Sequence, residues 1–143
     1  YYASRGLGDV YKRQKISYYL MRAGLRLFNM AQKRSYKEVS RNFFKPDDVR
    51  PDVFPTLVPN WDHSPRSGKG GVILHNATPE LFGHHAARVL EAVKDKPSPN
   101  LVFIRAWNEW GEGNYMEPDL RYGKGYIEEL RKAADNICKN YNK

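Results

Sequence analysis

β-Prone runs are scarce in this chain, and that scarcity limits its fold more than any other feature. Three can be read: "DVFPTLVPN" at 52–60, Val72 to His75, and the apolar run Leu101 to Ala106. The first carries Pro55 and Pro59, which donate no ladder hydrogen bond, so it reads as an irregular or terminating strand. Helical patterns separate these runs. From Lys15 to about Arg34, Ile16, Tyr19, Leu20, Ala23, Leu27 and Met30 recur at helical spacing, with Arg22, Arg26, Lys33 and Arg34 elsewhere, which predicts an amphipathic helix. Tyr36 to Phe44 predicts a short second helix, stopped by Pro46 and the Asp47-Asp48 pair. Thr78 as N-cap, Pro79 at the first helical position and Glu80 in the first turn predict a helix reaching about Lys94. Tyr126, Ile127, Leu130, Ala133, Ala134 and Ile137 predict a last one.

Alternation of strands and helices argues for an α/β fold built from βα units around a parallel sheet. Two or three strands cannot close a sheet whose faces both need covering. The expectation is therefore either a small open α/β domain or the C-terminal part of a larger one.

Composition narrows the class. A chain of 143 residues suits one domain, and 41% hydrophobic with 13% aromatic residues suits a globular one. No apolar run approaches the roughly 18 residues of a membrane span, and no signal peptide is visible, which favours a cytoplasmic location. The net charge of +8 is uneven: residues 1–50 hold 12 Lys/Arg against 4 Asp/Glu, and residues 51–143 hold 12 of each. With no nucleic-acid motif, the excess reads as a solvated basic face, and no nucleic-acid partner is expected. The single Cys138 excludes an internal disulfide. Residues 1–14 have no period and no cap. They resemble a read-through peptide found at the broken ends of assembled environmental sequences, so the expected folded portion is 15–143, with the natural start upstream of Tyr1.

The chemistry is expected behind the last β-prone run, in "IRAWNEWGEGNYMEPD" at 104–119. Carboxylates at the end of an apolar strand must be paired or face a cleft. Glu109 and Glu112 are three apart, and extended residues at that spacing span up to roughly 10 Å at Cα. Glycoside chemistry uses two carboxyl groups about 5 to 9 Å apart, so the spacing permits it without proving it. Gly111 and Gly113 let the backbone turn, while Trp107, Trp110 and Tyr115 offer faces on which sugar rings stack. A surface loop with incidental acids remains the plain alternative. "WDHSPR" at 61–66 places Trp61, Asp62, His63 and Arg66 at another strand end; in a parallel sheet the two exits share one edge. Asp62 and Arg66 read either as sugar contacts or as a local ion pair fixing the turn, and His63 as a catalytic base is the weaker reading.

Other motifs carry less. "SGKGG" at 67–71 fails the phosphate-loop pattern and leads into a strand. His84 and His85 point about 100° apart on a helix, so they read as surface or groove histidines rather than a metal pair. Asn76-Ala77-Thr78 matches a glycosylation sequon, but Thr78 is better used as a cap. No Cys/His set has zinc spacing, and no metal or other cofactor is expected.

Together, "WDHSPR", "NATPELF" and "IRAWNEWGEGNYMEPD" with "YGKGYIEEL" resemble the C-terminal portion of the WbsX family, glycosyltransferases of polysaccharide synthesis. That family is similar to glycoside hydrolase family 99, the endo-acting α-mannosidases. The resemblance covers roughly residues 36 to 142 and is most specific from Trp107 to Asp119. It implies a (β/α)₈ TIM-type barrel of which this chain holds about the last three βα units, incomplete on its own because such a barrel needs around 250 residues. It implies a glycan or sugar-donor substrate, with either glycosyl transfer toward an O-antigen-type polysaccharide (a lipopolysaccharide glycan) or endo-acting hydrolysis. By position, Glu109 would be the base that deprotonates a sugar 2-hydroxyl, and Glu112 the general acid/base. Trp61, Asp62, Arg66, Asn108 and Trp110 would line the sugar site, and Glu117 and Asp119 would be structural. Gly111 stands where the hydrolases carry a bulkier residue, which leaves the sugar subsite open. The rival is a non-catalytic glycan-binding protein.

Overall fold

The computed structural model describes residues 15–21, 23–24, 27–28, 30–97 and 100–141; the segment 1–14, Arg22 and Arg26 lie outside the described residues. In chain order the elements are β1 (Gln32–Ser35), the helical turn α1 (Tyr36–Val39) and β2 (Thr56–Leu57). The turn α2 (Ser64–Ser67), β3 (Val72–His75), α3 (Pro79–Val93) and β4 (Phe103–Ile104) follow. The last are β5 (Asn108–Glu109), β6 (Asn114–Tyr115) and α4 (Gly125–Tyr141).

Helix α3 begins as its sequence dictates. The Thr78 hydroxyl accepts the Leu81 N–H at 3.3 Å, with Pro79 in the first turn and Glu80 behind it. Phe82, Ala86, Val89 and Val93, spaced four, three and four apart, turn inward. Phe82, Ala86 and Val89 meet Tyr126 and Ala133 of α4, together with Leu57 and Met116, in one buried cluster. The Phe82 and Tyr126 rings stand edge to face at 5.8 Å. The two helices approach closely where side chains are absent: a Cβ on Gly83 would lie 2.6 Å from Glu129 Oε2, and one on Gly125 2.9 Å from Pro79 Cγ.

The strands are short, and their pairing is mixed. β1 runs parallel to β3, with Gln32 opposite Val72, and β2 runs parallel to β4. The chain leaving β2 then passes beside β3 in the antiparallel sense. Leu74 N donates to Trp61 O at 2.8 Å and His63 N donates to Val72 O at 3.0 Å. Residues 56–63 thus lie between β4 and β3, and β5 and β6 form a separate antiparallel pair. The α/β class holds, with both parallel pairings present; the sheets themselves are two-stranded.

Two expectations need correction, and one near Pro46 holds. Residues 15–21 are helical, but the pattern does not carry the helix to Arg34: Gln32–Ser35 is β1, whose backbone is satisfied by pairing with β3. The short helix expected from Tyr36 is present as an α turn, Tyr36–Val39, followed by a 3₁₀ turn, Ser40–Asn42. It ends before Pro46, which opens a separate 3₁₀ turn over Pro46–Val49 where the Asp48 carboxylate accepts Lys45 N at 2.7 Å. Of the apolar run 101–106 only Phe103 and Ile104 form strand, and both side chains stay exposed, as do Ile16, Leu20 and Leu27 of the N-terminal helical stretch. Among the described residues no helix is long and apolar enough to cross a membrane.

Two buried polar groups tie the turn after β1 to this core. The Tyr36 hydroxyl, wholly buried, donates to Val58 O at 2.6 Å, and burial pushes its ionisation far above the usual phenol range. His85, expected at the surface or in a groove, is 3% exposed and edge-on to Phe43 at 5.4 Å. Burial, with the nearby Arg88 charge second and the Thr56 backbone pulling weakly the other way, lowers its pKa from 6.5 to about 4. A neutral buried imidazole stabilises the fold fully above its unfolded pKa, and that stability is lost as pH falls from about 6.5 toward 4, because the unfolded chain binds the proton first. We predict that urea titrations show about 2 kcal/mol lost to this group between pH 7.5 and 5, and that His85→Phe removes that part of the acid sensitivity. Equal slopes in both proteins would contradict the assignment.

Candidate functional site

Because β2 and β4 are parallel neighbours, the segments that leave them emerge side by side. One is Asn60 to Ser67, the other Arg105 to Tyr115. Backbone and amide bonds stitch the two: Asp62 N donates to Glu112 O at 2.9 Å, and Tyr115 N donates to Asn60 Oδ1 at 2.9 Å. The second segment reverses through a 3₁₀ turn, Trp110–Glu112, and then Gly113 at φ +51°. A Cβ there would lie 2.8 Å from Asp62 Cβ, so glycine meets two demands at once, a left-handed backbone and a close approach.

Glu112 sits at the centre, its side chain 10% exposed. Its Oε1 accepts from Arg66 Nη1 at 2.8 Å and lies 3.3 Å from His63 Nε2, while Oε2 lies 3.5 Å from Arg105 Nη2. The other arm of the Arg66 fork, Nη2, donates to Glu109 Oε1 at 3.1 Å. One planar guanidinium thus holds both carboxylates and keeps them inside the roughly 9 Å upper limit of glycoside chemistry. Among the described residues Glu109 has this one partner, and its side chain is 43% exposed, so it is the freer of the two. On its far side the His63 ring shares a 2.7 Å hydrogen bond, Nδ1 to Ser67 Oγ, which links Glu112 through an imidazole to an exposed hydroxyl.

Aromatic rings flank this core. Trp110 stacks on Tyr115, centroids 3.8 Å apart and planes 14° apart, and its indole N–H donates to Glu117 Oε2 at 2.6 Å. The Tyr115 hydroxyl donates to Asp119 Oδ2 at 3.1 Å; burial first and the Asp119 carboxylate second push its pKa up to about 12. The Arg105 guanidinium lies 5.0 Å from the Trp61 ring centre. A groove of about 340 Å³ is lined by Asn60, Trp61, Asp62, Tyr115, Tyr122 and Tyr126 among others, and the two glutamates are not part of its wall. Trp107 and Asn108 are exposed beside it in sequence, Asn108 opposite Tyr115 across the β5–β6 pair.

The two segments therefore do converge, with Glu109, Glu112 and Arg66 in contact and Trp61, Asp62 and Tyr115 around one groove. The Asp62–Arg66 turn pair does not form. Asp62 Oδ1 instead accepts the Ser64 N–H at 2.9 Å and the Ser64 hydroxyl, starting α2, which frees Arg66 to reach across to the glutamates. Glu117 and Asp119 bind groups of their own loop, Asp119 also accepting Arg121 N at 2.8 Å. Sequence reasoning passed over Arg105, Asn60 and Ser67. Arg105 alone had a signal, a cation closing an apolar run just ahead of the acidic stretch. Among the described residues no three His, Cys, Asp or Glu side chains cluster to hold a metal ion.

The backbone demand at Gly113 is testable. Gly113→Ala is expected to lose about 3 kcal/mol in urea titration, since left-handed strain alone costs about 1 to 2 kcal/mol and the Asp62 overlap adds to it. Gly123→Ala, at φ +55° with open space around its Cβ, is expected to lose only the strain, about 1 kcal/mol. Equal losses would show that the approach to Asp62 is loose.

Residues 6–130 match the family described as Glycosyltransferase WbsX. Two relatives, both carrying the description "Uncharacterized protein WxcX" and from two strains of Xanthomonas campestris pv. campestris, are each 42% identical over 96 residues. The alignment takes in 60% of this chain but only 14% of either relative, so the chain spans a small part of their length. No solved structure matches it. The family match includes both strand-end segments, with Arg66, Glu109 and Glu112, and the first turns of α4; this chain belongs to the WbsX glycosyltransferase family.

Proposed function

We propose that residues 15–143 form the C-terminal portion of a barrel enzyme that acts on a glycan, with Glu109 and Glu112 as its carboxylate pair. The observation that carries this reading is the shared Arg66 guanidinium, which holds both carboxylates at the adjoining ends of two parallel strands. Strand ends of this kind are where barrel enzymes place their chemistry. The open two-stranded pairings and the exposed Phe103 and Ile104 fit a sheet that continues in a longer protein.

In this reading a sugar stacks on the Trp110–Tyr115 platform and on Trp61 or Trp107, while Asn108, Asp62 and Arg66 take its hydroxyls. Glu109, half-exposed and bonded among the described residues to Arg66, accepts the proton of an attacking hydroxyl. Glu112, held by Arg66, His63 and Arg105, serves as acid/base partner, with the His63–Ser67 hydrogen bond linking it to solvent. Breaking the bond from the anomeric carbon to its leaving oxygen and forming one to an acceptor hydroxyl is transfer; water in the acceptor's place is hydrolysis. The family name, glycosyltransferase, favours transfer.

One observation favours a second reading, glycan binding without catalysis: Glu112 already has two guanidinium groups and an imidazole against it, and the aromatic groove does not include it. The test is made in the longer parent protein. Glu109→Gln and Glu112→Gln are each expected to lower turnover by about 10² to 10⁴-fold, the usual contribution of a positioned acid or base, with saccharide binding and the melting temperature of Glu109→Gln little changed. Turnover unaffected by both substitutions would overturn the assignment. Saccharide binding by a parent that neither transfers nor hydrolyses, with several donors and across pH, would establish the binding reading.

A further inference from the structure

A second cavity of about 270 Å³ lies between α1 and α3, and none of the residues at the glutamate site lines it. Its wall includes Lys37, Arg41, Arg88 and His84, with Ser40 and His85 as its buried members. No carboxylate lines it. Among the described residues none of Lys37, Arg41 and Arg88 forms an ion pair, whereas Arg66, Arg105 and Lys132 all have carboxylate partners. Arg88 is held in place, its Nη2 donating to Ser40 O at 2.7 Å across 48 residues of sequence.

Three like charges around one hollow repel each other, and although all three side chains reach solvent, no carboxylate in the wall offsets that repulsion. The positive field reaches the buried neighbour, since the Arg88 charge helps keep His85 neutral. An anion would remove the repulsion, and guanidinium forks match tetrahedral oxyanions especially well. The volume sets the size. It is below the roughly 300 to 1,000 Å³ of pockets that hold drug-sized ligands, so it suits a headgroup rather than a whole nucleotide sugar.

We propose that this cavity binds a phosphate or diphosphate group, with Lys37, Arg41 and Arg88 as its ligands and His84 at the rim. The group is either free in solution or the head of a lipid. Neither arm depends on the glutamate site, so this proposal can fail without affecting that one.

The test uses the full 143-residue chain. Pyrophosphate is titrated calorimetrically at low salt, and vesicles of phosphatidylcholine with and without phosphatidic acid are tested by co-sedimentation. Lys37→Gln with Arg41→Gln is expected to weaken whichever probe binds by about tenfold or more, the effect of losing charge-assisted hydrogen bonds. The control Lys124→Gln with Lys139→Gln removes the same net charge elsewhere and is expected to change binding less than about twofold. Circular dichroism checks that both variants fold. Pyrophosphate binding lost only in the cavity variant supports a free phosphate ligand, and phosphatidic-acid-dependent sedimentation lost only there supports a lipid headgroup. Binding of neither probe, or equal weakening in both variants, would overturn the proposal.

Discussion

A carboxylate with 90% of its surface covered has to be compensated, and in this chain the compensation of Glu112 organises everything around it. Arg66 comes from 46 residues earlier in the chain, so the pair can form only if the segment after β2 lies against the segment after β4. The same guanidinium reaches Glu109, and the backbone bond from Asp62 N to Glu112 O closes the arrangement. Removing the arginine would leave a buried charge facing only His63 at 3.3 Å and Arg105 at 3.5 Å. That dependence joins fold to chemistry: the contacts that let these strand ends pack also set two carboxylates side by side.

Much of the fold could be read where local rules and tertiary packing agree. Thr78-Pro79-Glu80 starts a helix in the sequence and in the structure, because the cap uses only groups within one turn. The inward faces of α3 and α4 follow from spacing alone. β1 is the opposite case. Gln32–Ser35 is polar and basic, with none of the β-branched residues that mark a strand, and it becomes one because Val72–His75 offers a parallel partner forty residues away. Pairing of that kind leaves no local trace. The exposed Phe103 and Ile104 show a related limit: their apolar character was visible, but whether a neighbour covers them is set by chain that pairs from elsewhere.

At the candidate site, residue types were legible and partners were not. Glu109 and Glu112 stood out by spacing and by the tryptophans around them, and Trp61 through Arg66 by their place at a strand end. Which charge meets which could not be read. Asp62 and Arg66 are four apart and could have paired within their own turn, but the Ser64 N–H competes for the aspartate as a short-range donor, and a nearly buried glutamate is the stronger attractor for the arginine. His85 was half legible: it does line a groove, but its burial could not be read. A histidine beside an exposed histidine reads as surface until the Phe43 ring and the core are seen to enclose it.

The uneven charge of the chain takes on a different meaning once folded. Its excess lies in the first 50 residues, and along the sequence it looks like a solvated basic face. In three dimensions two of those cations, Lys37 and Arg41, line one hollow with a third, Arg88, which belongs to a helix that is mostly apolar on its inner side. All three stay exposed, yet they share the wall of one hollow. Here Arg88 is tethered to Ser40 O and cannot withdraw, so the charges are held together by backbone geometry rather than by a carboxylate. A fold that concentrates cations without neutralising them, in a hollow of limited size, is arranged for a small anion to complete it.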